Sequence, residues 1–174
     1  MAKATPVDDL REPLSLVSLE TPVGVLRVVG SDRGLRAVLW PDDKPGRVAL
    51  GAVVHRPHVV LESAVTQLDD YFAGERRSFE LPLDLVGTEF QVAVWRSLLE
   101  IPYGQTHSYA EQARLIGRPT ATRAVGAAIG RNPVSILLPC HRVLGSGGSL
   151  TGFAGGVEAK RWLLDHERIG GGYR

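Results

Sequence analysis

The chain holds one cysteine, Cys140, inside the run Pro139-Cys140-His141-Arg142-Val143. Cysteine attacks as its thiolate, and a nearby imidazole, guanidinium or helix N-terminus lowers its pKa from about 8.5 towards neutrality. Adjacent side chains point apart in a regular strand, so a Cys–His pair requires a turn at Pro139–His141, which the proline favours. The same thiol, placed after the aliphatic run Val134–Leu138, also reads as a small buried hydrophobe. A single cysteine makes neither an intramolecular disulfide nor a thiolate zinc cluster, so it is packing or reactive, in a reducing compartment. A third group comes from the last helix, where Lys160, Leu163, Leu164 and Glu167 fall on one row at i, i+3, i+4, i+7 spacing. A carboxylate extending an apolar row needs a partner, and a histidine nitrogen would complete a Cys–His–Glu relay; a solvated carboxylate in a last turn is the alternative. His166 reads as a partly packed ring. His55, His58 and His107 lack neighbours at metal-ligand spacing, and no metal or cofactor is expected.

Helices must position these groups. Thr88 is suited to cap a segment bearing Phe90, Val94, Trp95, Leu98 and Leu99, ending before Pro102-Tyr103-Gly104. Ser108 and Glu111 form a capping box that opens a second helix running to Gly117, and Arg118-Pro119-Thr120 turns the chain into a third. In that third helix Ala121, Ala124, Val125, Ala128 and Ile129 form an apolar stripe, while Thr122, Arg123, Gly126, Ala127 and Gly130 lie towards the other face. Such a pair has the outline of a DNA-binding helix-turn-helix, which ordinary helical hairpins share. Glycine and alanine on an exposed face cost helix stability, and close approach of a duplex would account for them. Large base-reading side chains are missing, so the expectation is shape and phosphate contact with little sequence preference.

The formal net charge of +1 conceals an asymmetry. Residues 101–157 carry Arg114, Arg118, Arg123, Arg131 and Arg142 against Glu111 alone, a net of +4, which leaves −3 for the remainder. That suits phosphate contact, and equally a solvated arginine face. The first thirty residues show no export signal, and no apolar run approaches the roughly 20 residues of a membrane helix. A cytoplasmic protein without membrane attachment is expected. Leu14–Leu19, Val25–Val29 and Leu35–Trp40 read as an antiparallel meander, Pro41–Pro57 as a loop, and Leu61, Ala64, Val65, Leu68 and Phe72 as a helix stopped by Gly74. The expected organisation is α+β: a small N-terminal domain of antiparallel sheet and helix over 1–80, a linker at 81–87, and a mainly helical domain with the helix-turn-helix over 88–174.

Together these residues resemble the O6-alkylguanine-DNA alkyltransferase family, direct-reversal DNA repair proteins. The likeness is carried by Arg123-Ala124-Val125-Gly126, Asn132-Pro133, Pro139-Cys140-His141-Arg142-Val143, Gly155-Gly156 and Trp162-Leu163-Leu164-x-His166-Glu167, in the family's order. The N-terminal half matches more loosely, through the meander and Tyr71-Phe72-x-Gly74, with a ribonuclease H-like fold implied. The resemblance implies that Cys140 accepts the alkyl group of O6-alkylguanine, and of O4-alkylthymine, once and irreversibly. His141 would be the base acting through a water, Glu167 the carboxylate orienting it, and Asn132 the hinge holding the turn. Tyr109 would protonate the departing guanine. Arg123 would enter the stack where the nucleotide has flipped out, since a base inside a duplex cannot meet a thiolate in line. Ile129, Val143, Phe153 and Ala154 would line the pocket. Arg118, Thr120, Ala121, Gly126, Ala127, Gly130 and Ser146 would meet double-stranded DNA in the minor groove, with the protein acting as a monomer.

Several positions depart from the family's pattern. Phe153 stands where many relatives have tyrosine, Ala154 where some have a hydrogen-bonding serine, and Ile129-Gly130-Arg131 in place of a more usual Asn-Gly pair. The N-terminal zinc ligands of some relatives are absent. Two rival readings are a non-catalytic alkyltransferase-like lesion binder, against which Cys140 itself speaks, and a Cys–His hydrolase, which would need turnover and an oxyanion hole.

Overall fold

A computed structural model describes residues 13–150 and 152–171; the outermost parts of the expected 1–80 and 88–174 limits lie outside the described residues. Three β-rich runs form strands β1 (Leu14–Thr21), β2 (Gly24–Ser31) and β3 (Gly34–Leu39). They pair antiparallel in sequence order, as the turn-like clusters between them dictate. The expected loop Pro41–Pro57 is not wholly irregular. It contains β4 (Val53–His55), which lies parallel to β1 and gives a mixed sheet of order β3-β2-β1-β4. Three residues flanked by prolines and glycines are too short for a period-2 pattern to stand out, which is why this strand is silent in the sequence.

Helix α1 (Val59–Phe72) packs on this sheet and is capped by the His58 ring, which accepts from the Val60 amide. The segment after it is anchored to the sheet edge. Leu83 bridges to Leu35, and the buried Asp84 carboxylate binds Arg36 at 2.9 Å and the Ser31 hydroxyl at 2.7 Å.

Helices α2 (Glu89–Ser97) and α3 (Tyr109–Leu115) both open with complete capping boxes, Thr88/Gln91 and Ser108/Glu111. Helix α4 (Thr122–Gly130) packs on both. Its buried stripe is Val125, Ala128 and Ile129, whereas Ala124, expected on that stripe, is exposed. A nine-residue helix packed on two neighbours needs only a narrow apolar seam. Trp95 fixes the seam from α2 by donating its indole N–H to the Ala128 carbonyl at 2.7 Å. After α4 the chain passes Asn132, makes a turn, and enters β6 (Val143–Leu144), which runs parallel to β5 (His107–Ser108). Helix α5 (Val157–Gly171) is the last element of the described residues.

The two halves share one core. A continuous buried cluster runs from Leu26, Val28 and Trp40 through Leu68 and Tyr71 to Val125, Val134, Leu138 and Leu163. The segment leading to Cys140 is joined to the N-terminal sheet, because Val134 bridges to Val38 and the Val38 amide donates to the Pro133 carbonyl at 2.9 Å. The sheet edge therefore positions the reactive turn. Among the described residues no helix is long and apolar enough to cross a membrane.

Candidate active site

Pro139 leaves its strand-like path with ψ near 65° and starts a 3-10 turn over Cys140–Arg142. The turn removes the strand alternation that would have separated the thiol from the imidazole. Cys140, His141 and Arg142 are all buried there. One turn from the C-terminal end of the described chain, Glu167 is also fully buried, so the solvated alternative does not hold. Its row partners Lys160, Leu163 and Leu164 are buried as well.

Glu167 collects donors from four places. His141 Nε2 lies 2.7 Å from Oε1, Arg142 Nε donates to Oε2 at 2.8 Å and Nη2 to Oε1 at 3.0 Å. The Tyr71 hydroxyl, from α1 of the N-terminal half, donates to Oε1 at 2.8 Å, and the Gly104 amide reaches Oε2 at 3.3 Å. Burial alone would raise the Glu167 pKa, but the hydrogen bonds and charges of His141 and Arg142 outweigh it and hold the carboxyl well below the ordinary glutamate range. Beside this ionised acceptor, burial and the Glu167 charge push the Tyr71 phenol far above its usual value, so it stays a donor.

That ionisation fixes the histidine tautomer. A carboxylate only accepts, so the proton between the two groups sits on His141 Nε2. Nδ1 then carries the free lone pair. It is buried and has no hydrogen-bond partner among the described residues, which leaves it open as a base. Burial lowers the His141 pKa, and the cations Arg142 and Lys160 oppose a third positive charge, so the ring is neutral at physiological pH. Cys140 behaves contrary to the expectation of a lowered pKa. Burial dominates and raises it, while Asn132, Ser135, Lys160 and Arg47 pull the other way. The resting group is a thiol that needs a base at the moment of reaction.

Asn132 closes the turn with both ends of its carboxamide: Oδ1 accepts the Val134 amide at 3.0 Å and Nδ2 donates to the Leu138 carbonyl at 2.7 Å. The N-terminal half holds the same residue from behind, since Arg47, paired with Asp43, donates to the Asn132 carbonyl at 2.5 Å. Lys160 is buried and donates to the Val143 carbonyl at 2.7 Å. Tyr103 lies against the Arg142 guanidinium, whose carbon stands 5.6 Å from the ring centroid.

A cleft of about 710 Å³ is walled by Trp40–Arg47 on one side and by Ala127, Gly130, Arg131 and Phe153–Gly156 on the other, and it meets the reactive turn through Arg47 and Trp40, which bond Asn132 and Ser135. Phe153 and Ala154 lie in that wall. Ile129 and Val143, expected as pocket residues, are core instead, at 4 and 0 % exposure. Ile129 sits on the inner seam of α4, and Val143 is paired to β5. Gly155 is required where it is: a Cβ there would come within 2.5 Å of the Trp40 ring. A larger concavity of about 760 Å³, lined by Arg33, Arg36 and Arg56 on the N-terminal sheet, shares no residue with this site.

On the outer surface Arg118, Thr120, Arg123, Ala127, Gly130 and Ser146 are exposed, and Ala121 is half-buried. Gly126 is half-buried too and faces α3, with the Tyr109 ring 3.5 Å from where its Cβ would stand, an ordinary contact distance. No side chain caps α4 at Ala121, which leaves its first amides open at the N-terminal end. Arg142, counted in the basic segment, is not on this surface; its charge is spent on Glu167. Arg142 and Lys160 had shown only as a basic residue and as part of an apolar row. The partnerships of Tyr71 with Glu167 and of Trp40 with Ser135 carry no signal in the sequence, because the partners lie about 95 residues away.

A shared core, a helix-turn-helix and a buried Cys–His–Glu set beside a cleft define a two-part DNA-binding transferase architecture. Two family models match in tandem: the 6-O-methylguanine DNA methyltransferase ribonuclease-like domain over residues 17–85 and the DNA-binding domain of the same family over 89–169. The chain is 45 % identical over 148 residues to a methylated-DNA–protein-cysteine methyltransferase of Methanosarcina acetivorans, covering 85 % of this chain and 94 % of that one. It is 46 % identical over 153 residues to the protein of that name from Mycolicibacterium paratuberculosis, covering 87 and 90 %. The crystal structure of Mycobacterium tuberculosis OGT in complex with DNA superposes with a TM-score of 0.82 at 43 % identity, covering 90 % of this chain and 94 % of that chain. The chain belongs to the 6-O-methylguanine DNA methyltransferase family.

Proposed function

We propose that this protein repairs DNA by direct reversal, moving the alkyl group of O6-alkylguanine onto Cys140 in a single, irreversible event. The observation that carries the reading is the buried Cys140–His141–Glu167 set, in which the ionised Glu167 fixes the His141 proton on Nε2 and frees Nδ1 to act as base. In the proposed step the Cys140 proton passes through a water to Nδ1 while the sulfur attacks the alkyl carbon. The S–C bond forms as the C–O6 bond breaks, and its electron pair leaves with the guanine. Tyr109 supplies a proton to the departing base and is restored from His141, so the net change is one proton moved from thiol to guanine. No second cysteine exists to take the group onward, and a thioether does not hydrolyse, so each chain acts once.

The supporting surface is α4 with its open N-terminal amides, suited to a phosphate, and the exposed Arg123 and Arg118. Small residues Ala127 and Gly130 permit close approach to a minor groove. Arg123 would fill the stack behind the flipped nucleotide, and Phe153 and Ala154 would receive the base. Asn132 holds the turn. In this proposal residues 88–174 carry the DNA-binding surface and the acceptor, residues 1–80 brace them, and the protein works as a monomer in the cytoplasm, where the thiol stays reduced.

The test uses duplex DNA carrying a radiolabelled methyl group on guanine O6. Label should move from DNA to protein and plateau at one per chain, and fresh protein should restart it. Release of labelled methanol with turnover would instead indicate the Cys–His hydrolase.

A further inference from the structure

Ser135 lies in the segment between Asn132 and Cys140 and has no exposed area. Its Oγ accepts the indole N–H of Trp40 at 3.1 Å, a bond between side chains 95 residues apart. A serine hydroxyl carries one proton of its own, and a buried hydroxyl keeps that proton bonded. Among the described residues no oxygen takes it. Ser135 and Asn132 are the two side chains whose hydrogen bonds draw the Cys140 thiol pKa down against the effect of burial. A thiol is a weak acceptor and a thiolate a strong one, so these two donors gain most as the sulfur becomes charged. Such gain lowers the barrier, because it is larger in the transition state than at rest.

We propose that Ser135 is a catalytic hydrogen-bond donor to the developing Cys140 thiolate, and that Trp40 is a positioning residue that turns the hydroxyl towards the sulfur. Occupying the oxygen's lone pair with the indole N–H directs the hydroxyl proton away from Trp40. The same indole stands edge-on to Phe153, centroids 5.1 Å apart, and lies against Gly155. Trp40 thus links the cleft wall that would hold the base to the donor that serves the sulfur. The N-terminal half supplies this group, which gives that half a part in the chemistry as well as in the fold.

The inference rests on the proposed alkyl transfer, and its test separates the two. Single-turnover transfer from O6-methylguanine DNA is followed across pH for the unsubstituted protein, Ser135→Ala and Trp40→Phe, with the DNA Kd measured alongside. Loss of one hydrogen bond to a charged group predicts transfer about tenfold slower near neutral pH for Ser135→Ala, and an alkaline rise displaced upward by roughly one pH unit. Trp40→Phe keeps the aromatic contact with Phe153 but loses the N–H, and should move both readings the same way by about two- to fivefold. DNA affinity should stay within about twofold for Ser135→Ala, since Ser135 does not line the cleft. A Ser135→Ala curve that overlays the unsubstituted one overturns the serine's role. An unshifted Trp40→Phe curve overturns the relay, and that variant decides the matter if Ser135→Ala does not fold. Absence of transfer in the unsubstituted protein overturns the proposed function itself.

Discussion

Glu167 is surrounded by His141, Arg142, Tyr71 and Gly104, so its charge is what keeps three buried side chains and one backbone amide satisfied. Glu167→Gln leaves Arg142 as an uncompensated buried charge and should cost about 3–5 kcal/mol, read as a lower denaturation midpoint, along with nearly all transfer. Tyr71→Phe removes one of several donors to the same carboxylate and should cost about 1–2 kcal/mol. The pH dependence follows from the directions of the shifts. Glu167 and His141 are both lowered on folding, so each contributes stability that is present above its unfolded value and lost on acidification. Stability should therefore decline once pH drops below about 6.5 and fall further near 4.5, the ordinary values of the two groups. Cys140 is raised, so its contribution is full below about pH 9 and lost above it. Transfer should weaken only below the ordinary imidazole value of 6.5, because a protonated ring cannot accept the thiol's proton. An acid limb centred above that value, measured in single-turnover rates, would contradict the assigned direction.

At the scale of elements, the sequence is most readable where a local rule sets a boundary. The two capping boxes start α2 and α3 at the expected residues, and the Lys160–Glu167 row is the buried face of α5. What it conceals is set across long separations. Trp40 and Ser135, Tyr71 and Glu167, and Arg47 and Asn132 meet only because β3 and α1 pack on the reactive turn, and no periodicity encodes that. The direction of the thiol's pKa was likewise hidden, since a neighbouring histidine in sequence says nothing of how deeply both are buried. On α4 the packing sorts small residues by purpose. Gly126→Ala places its Cβ in ordinary contact with Tyr109 and removes a helix-interior glycine, so it should be neutral or stabilising by up to about 1 kcal/mol in a thermal melt. Gly155→Ala forces Trp40 to move and should cost about 1–3 kcal/mol. Arg123→Ala should weaken DNA binding and reduce the slope of log affinity against log salt by about 1 if that side chain meets a phosphate, and leave the slope unchanged if it only fills the stack.

For the whole molecule, one core spanning both halves predicts a single cooperative unfolding transition reported alike by the tryptophans of either half, Trp40, Trp95 and Trp162. It also makes repair and stability antagonists. Cys140 is only 6 % exposed in a turn held by Asn132, Arg47 and the β3 edge, so a methyl group on its sulfur overpacks that region. The spent protein should lose about 1–3 kcal/mol and melt roughly 3–10 °C lower. Equal or greater stability after alkylation would contradict this. The central claim is that Cys140 itself ends the reaction bearing the alkyl group. Intact-mass and peptide measurement after incubation with O6-methylguanine DNA should show a gain of one methylene per chain, located on the Cys140 peptide and absent in Cys140→Ala. Restored guanine without an adduct, or an adduct that persists in Cys140→Ala, would contradict the account.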